Sequence, residues 1–375
     1  MGASTDLPLL DHHCHGVVAA LDPSGFERWI TESDRPPAPG TRWFDTPLGL
    51  AIRAWCAPFL DLEPGAPPEE YVARRGELGQ PEVCRRLFAA CGLECQLVDT
   101  GISGLGLTAP GELAALTGVP AWEVVRIEAV AEVVARQVTS VDAFLTAFPA
   151  ALDEAATGAV GLKTIAAYRH GLALAPAPPA SAEVRRALER RLPEIVAGGR
   201  LADPVLLDLG VWTGVEVARA RGLPIQVHTG LGDTDVDLRL ADPTLLTPLI
   251  RALDPLGVDL TLLHCYPYHR QAAYLAAMYP HVYFDLGLAL NHAIAGAPRI
   301  LAEAMEMAPF GKQLYSSDAI AIPELHYLGA RAFRGALDRV LDDWCRDGLL
   351  ASAADAERIA AAIASGNATR IYPLG

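Results

Sequence analysis

The segment LLDHHCHG, residues 9–16, carries the side chains best suited to chemistry. As a strand, its alternation places Asp11, His13 and His15 on one face and His12 and Cys14 on the other. Two imidazoles pointing the same way from a strand end are a natural pair of ligands for Zn²⁺ or a similar divalent ion. Alone, H-x-H is a weak signal, since a pair of structural histidines reads the same way. Four further candidates follow in order: Lys163 in VGLKTIA, His228 in PIQVHTG, His264 in LTLLHCYP and Asp318 in LYSSDA. A strand-end histidine can be a structural hydrogen-bonding residue, and a lone aspartate is commonly a helix N-cap. A lysine in an apolar strand is harder to dismiss, because an unpaired buried ammonium is costly. The ordered set points to a metal site.

Positioning such a set requires a scaffold that brings distant strand ends together. Eight short runs read as strands: 7–15, 96–101, 124–130, 160–166, 223–229, 259–266, 281–288 and 313–318. Several are almost wholly apolar, as strands buried on both faces should be. Helical patterns at 181–196, 203–221, 243–253, 268–278, 297–307 and 325–343 alternate with them, which implies a parallel sheet. Eight repeats favour a closed (β/α)8 TIM barrel over an open doubly wound sheet, and no glycine-rich nucleotide turn follows the first strand. In a barrel all strand C-termini open on one face, where active sites are built. Residues 22–92, broken by RPPAPG and EPGAPP, read as a mostly helical insertion, either a lid or a surface dimerisation element. LALAPAPPA, 172–180, reads as a loop leading to a helix N-capped by Ser181, and the tail as a final helix ending near Gly366. No linker marks a second domain, so 1–375 is read as one unit.

In order and context the chain resembles the amidohydrolase superfamily. It is most similar to the amidohydrolase-2 type proteins related to the N-terminal domain of glutamine-synthetase fusion proteins. The match rests on LLDHHCHG, VGLKTIAAYRHGL, LPIQVHTG, LLHCYPYHRQAAYLA, HVYFDLGL, LYSSDAIAIPELHYLG and GNATRIY, which together span nearly everything outside the insertion. The resemblance implies a barrel with one or two divalent ions, most often zinc, at the strand C-termini. It implies His13, His15, His228 and Asp318 as metal-site residues, with His264 a ligand or a group polarising the oxyanion. Binuclear relatives bridge two ions with a carboxylated lysine, and Lys163 stands at the matching place. As a free ammonium it would instead bind a substrate carboxylate.

The expected reaction is hydrolysis of an amide or related C–N bond by metal-activated water, with Asp318 as general base and then acid. Polar groups on the predicted βα loops would read the substrate: Tyr168, Arg169 and His170; Asp233 and Asp235; Tyr266, His269 and Arg270; Glu324 and His326. Arg169 is the best candidate for a substrate carboxylate, since its planar fork suits bidentate binding. The glutamine-synthetase association points to γ-glutamyl amides. The alternative within enzymes is a one-metal decarboxylase or hydratase acting on a carboxylated substrate. From another class comes a retired barrel serving as a binding module, which the intact set of six site residues opposes.

A net charge of −15 disfavours nucleic acid and anionic membrane surfaces as partners and is silent on small molecules and on homo-oligomers. At 51% hydrophobic residues and a mean hydropathy of +0.23, a large core is available. Seven cysteines without paired spacing suit a reducing cytoplasm, and Cys84, Cys91 and Cys95 are expected to be buried thiols. The N-terminus lacks the pattern of a secretory signal and only weakly matches a myristoylation motif. No run reaches the apolar length of a membrane span.

Overall fold

The computed structural model describes residues 7–374. The myristoylation motif, at Gly2, Ser4 and Thr5, lies outside them. Seven strands form one parallel sheet in strict chain order: β1 (Leu9–Cys14), β2 (Leu93–Asp99), β3 (Ala121–Arg126), β4 (Gly161–Thr164), β5 (Ile225–His228), β6 (Leu260–Leu263) and β7 (Val282–Phe284). β4 to β7 are buried at every residue, as the apolar runs require when helices cover one face and barrel packing fills the other. Residues 313–319 run between the sheet's two edges. Gln313 bridges Phe284 in parallel, while His12 N donates to Tyr315 O, Asp318 N to His13 O and His15 N to Ala319 O. The sheet is thus curled until its edges share one segment, in an α/β architecture of TIM-barrel type.

The helices follow their periodicity closely. Pro204–Arg221 packs on the sheet and Ser181–Val196 packs on that helix, and the former is capped by Asp203 and closed by left-handed Gly222. Ser181 is the first helical residue and Ala180 the cap, with no side-chain cap bond, so the expected serine cap is corrected. The tail does not stop at Gly366: after a wide turn over 362–366 it continues through Asn367–Ile371, which delivers Tyr372 to the bottom of the sheet's interior. The third strand begins earlier than expected, because IEAVAEVVARQ forms the helix Ile127–Gln137.

Residues 22–92 form short helical turns and two helices, Pro68–Leu78 and Gln80–Ala89. A buried ion pair ties the first of these to the helix Pro323–Arg346: Arg75 Nε donates to Glu324 at 2.6 Å, and Tyr71 adds its hydroxyl at 3.0 Å. Burying these charges is tolerable only because each is paired. Among the described residues no helix is long and apolar enough to cross a membrane.

Candidate active site

β1 does not alternate strictly. Its pairing with β2 slips between Asp11 and Cys14, so His12 and His13 both turn inward while Asp11 and Cys14 turn out. Asp11 was expected beside His13 and His15, and His12 on the opposite face; the bulge reverses both. Asp11 instead accepts from Ser317 on the outer side, and His12 bonds Tyr372 and Asp285 in the interior.

His13 is held from behind. Its Nδ1 lies 2.7 Å from Gln226 Oε1, while Gln226 Nε2 donates to the His12 carbonyl at 2.7 Å and towards the Tyr372 hydroxyl at 3.0 Å. An amide whose nitrogen is so engaged presents only its oxygen, so His13 Nδ1 carries the proton and Nε2 keeps a lone pair. His15 repeats the device: its Nδ1 is 3.0 Å from the Asp99 carbonyl, which can only accept.

Both Nε2 atoms face one carboxylate. They lie 3.1 Å (His13) and 3.5 Å (His15) from Asp318 Oδ1, and His264 Nε2 is 3.3 Å from Oδ2. Burial, reinforced by the neighbouring Lys163 ammonium, drives the His13 pKa down to about 3, so this ring is neutral. Burial likewise lowers His228 and His264. Burial would raise Asp318, yet the surrounding imidazoles, His264 foremost, carry it well below the carboxylate range. Three ring nitrogens and a carboxylate therefore crowd one point, and no lysine or arginine among the described residues comes within 4.0 Å of that carboxylate. Such a cluster of donor atoms suits a shared cation. The separations match the edge of a tetrahedron with 2.0–2.1 Å bonds, about 3.3 Å. His228 Nε2 and His264 Nδ1 are buried without partners, with the two rings 4.7 Å apart. The donor set fits a divalent ion of borderline softness, which His13, His15, His228, His264 and Asp318 would hold.

The backbone is strained at the same point. His264 (φ 66°) and Asp318 (φ 49°) both occupy the left-handed region, which non-glycine residues enter at a cost of order 1–3 kcal/mol when the surroundings impose it. What imposes it is visible: His264 N donates to Asp285 Oδ1 at 2.9 Å and Asp318 N to the His13 carbonyl at 3.0 Å.

Lys163 is fully enclosed, with Nζ 3.2 Å from His13 Nε2 and 3.9 Å from Asp99 Oδ2. Burial pulls its pKa down to about 8 against the attraction of Asp99 and Asp318. Asp99 is itself clamped by Arg126 at 2.6 Å, and that guanidinium leads the charges that outweigh burial and keep the carboxyl ionised.

Above these residues opens a cavity of about 520 Å³, bordered by His15, Lys163, His228, His264 and Asp318 and by Tyr168, Arg169, Asp233 and Asp235. Tyr168 covers His228 at 4.3 Å between ring centroids. Arg169 reaches Glu132 at 3.5 Å and leaves a buried Nε unpartnered. Tyr266 and His269, expected to read the substrate, do not border the cavity. They stack on each other at 5.9 Å, and His269 opens the helix His269–Met278, whose outward course pairs it with Glu303 at 2.7 Å. Arg270 goes the same way, to Glu303 and Glu306; Glu324 is consumed by Arg75, and His326 lies outside the sheet.

Residues 112–374 match the sequence model of the amidohydrolases. The chain belongs to the amidohydrolase family. The matched span holds Lys163, His228, His264 and Asp318 of this amidohydrolase and begins after β1. Protein fluG of Emericella nidulans is 36% identical over 224 residues, 57% of this chain and 26% of fluG, so the amidohydrolase spans about a quarter of that relative's length. A candidate metal-dependent hydrolase from Lactobacillus casei ATCC 334 superposes with a TM-score of 0.87 at 29% identity, covering 98% of this chain and 96% of its own. Uronate isomerase of Thermotoga maritima, at TM-score 0.64, 15% identity and coverage of 99% and 95%, shares the fold.

Asp99, Arg126, Gln226, Asp285 and Tyr372 were not anticipated. The first two carry the signal that exposed Lys163, a charge at the end of an apolar strand. Gln226 is uncharged, and the partners of Tyr372 lie too far away in sequence for any local pattern to reveal them.

Proposed function

We propose that this amidohydrolase cleaves an amide or related C–N bond of a small, carboxylate-bearing substrate. The observation that carries the reading is the convergence of the His13, His15 and His264 Nε2 atoms on the Asp318 carboxylate. A divalent ion, zinc by the donor set, would supply Lewis acidity there and ease deprotonation of water. Asp318, ionised and at the cavity floor, takes the proton from the attacking water and returns it to the departing nitrogen. His264, neutral and held at a strained backbone position, faces the oxygen on which charge develops. Arg169 grips a substrate carboxylate from the wall, and Tyr168 shields His228 from water. Residues 313–319 act as the eighth strand that closes a (β/α)8 barrel, which is why Asp318 meets β1. The resemblance to glutamine-synthetase-fused proteins puts γ-glutamyl amides first for screening.

Lys163 is suited to carboxylation. Burial leaves part of its amine neutral near pH 8, and a neutral amine combines with CO₂ to give a carbamate and a proton. If it bridges two ions, Lys163→Ala binds one ion fewer than the wild type; equal metal content removes the bridge. The reaction is tested by screening zinc-loaded protein against γ-glutamyl and other N-acyl amides, reading ammonia or amine. Chelator-sensitive amine release is expected. Release of CO₂ without amine, or hydrolysis unchanged in metal-free protein, would overturn the proposal.

A further inference from the structure

The bulge that turns His12 and His13 inward leaves three polar side chains on the outer face of β1 that the reaction does not use. Asp11, Cys14 and His326 are each 0% exposed, and one potential ligand atom from each lies within 4.8 Å of the others. His326 comes from the first turns of the helix Pro323–Arg346 packed over β1. One side of its ring rests on Phe88 at 4.7 Å, and both its nitrogens are buried without a hydrogen-bond partner. An imidazole is rarely left with both nitrogens unmet, since each costs roughly 1–3 kcal/mol in lost hydration. The Asp11 carboxylate accepts from Ser317 N at 2.9 Å and Ser317 Oγ at 2.5 Å, and no lysine or arginine among the described residues lies within 4.0 Å of it. Cys14 Sγ has one long contact, 3.7 Å to the Leu97 carbonyl. A carboxyl group, a thiol and an imidazole without hydrogen-bond partners thus meet in one dry pocket, a set of donors that a single cation could gather.

We propose that Asp11, Cys14 and His326 form a structural zinc site on the outer face of β1, distinct from the candidate active site. Thiolate sulfur, imidazole nitrogen and carboxylate oxygen all ligate zinc, and these three residues would fill three of its four tetrahedral positions. On binding, the Cys14 thiol releases its proton to solvent and the thiolate takes the metal, so aspartate and thiolate together neutralise the dication. Ligands of a tetrahedral ion with a 2.3 Å bond to sulfur stand roughly 3.5 Å apart, so closure asks for about an ångström of side-chain movement. The ion would pin β1 to the helix Pro323–Arg346. It would thereby hold the bulge that aims His13 and His15 on the other face.

Sulfur separates this site from the inner one, whose candidate donors are nitrogen and oxygen. The experiment loads the full chain with zinc, or with cobalt(II) during refolding, and reads metal content, X-ray absorption at the zinc edge and the thiolate-to-cobalt charge-transfer band. The wild type is expected to show a sulfur scatterer at about 2.3 Å and the cobalt band. Cys14→Ser should lose both and bind one zinc fewer, while His13→Ala keeps the sulfur signals. If Cys14→Ser does not fold, His326→Gln, close in volume, is expected to lose one zinc and weaken the band. A wild type with no sulfur scatterer, or a folded Cys14→Ser with undiminished zinc and an unchanged band, overturns the proposal. None of these readings depends on which reaction the inner site performs.

Discussion

Two layers of the sheet's interior differ in how completely they are bonded. In the lower layer His12, Gln226, Tyr372 and Asp285 satisfy one another: His12 contacts Tyr372 and Asp285 at 2.9 Å each, and Gln226 reaches Tyr372 at 3.0 Å. In the upper layer His228 Nε2 and His264 Nδ1 have no partner, and the Nε2 atoms of His13 and His15 face a carboxylate. The lower layer is therefore the device that makes the upper one reactive. Its bonds fix which nitrogen of His13 is protonated, so the other is left with its lone pair directed at the site.

Breaking the upper layer should have the larger effect. Asp318→Asn preserves shape and most metal binding but removes the base, so kcat is expected to fall by roughly 10²–10⁴-fold on any substrate found; retained turnover would remove Asp318 from the role. Gln226→Leu cuts the link between layers, and metal affinity, read by competition with a chromogenic chelator, should drop roughly 10–100-fold. An unchanged affinity would show that the layers are independent. Arg169→Lys keeps charge without the fork, and a KM rise of roughly tenfold with kcat little altered is expected. An equal fall in kcat would instead place Arg169 in the chemistry. The smallest effect belongs to Tyr372→Phe, which removes a hydroxyl from the lower layer. About 1 kcal/mol of stability should be lost in urea unfolding, with a lesser shift in metal affinity.

The same contrast explains what was readable in the sequence. The upper layer was legible because a charged or imidazole group ending an apolar strand has few reasons to be there except a site; Lys163, His228, His264 and Asp318 all satisfied that rule. Asp99 and Arg126 satisfied it too and were passed over. The lower layer was opaque because glutamine and tyrosine are ordinary residues whose importance arises only from partners across the sheet. Tyr266 and His269 misled for the opposite reason, since adjacency to a strand end says nothing about where the following helix points. Period-two alternation failed at β1 because a bulge adds a residue to one side of the ladder without a consistent mark in composition. Helix boundaries were recovered within a few residues where apolar spacing and caps agreed, as at Pro204–Arg221.

The edge-sharing segment has a consequence for how the molecule is made. Asp11 is bonded to Ser317 across 306 residues, and His12 to Tyr372 across 360. Contacts of such separation are costly to close, so β1, although paired early with β2, waits for its other edge until most of the chain is made. A nascent chain shorter than about 318 residues holds His13 and His15 with no Asp318 to meet. The candidate site would thus form late, once both edges of the sheet have met on residues 313–319.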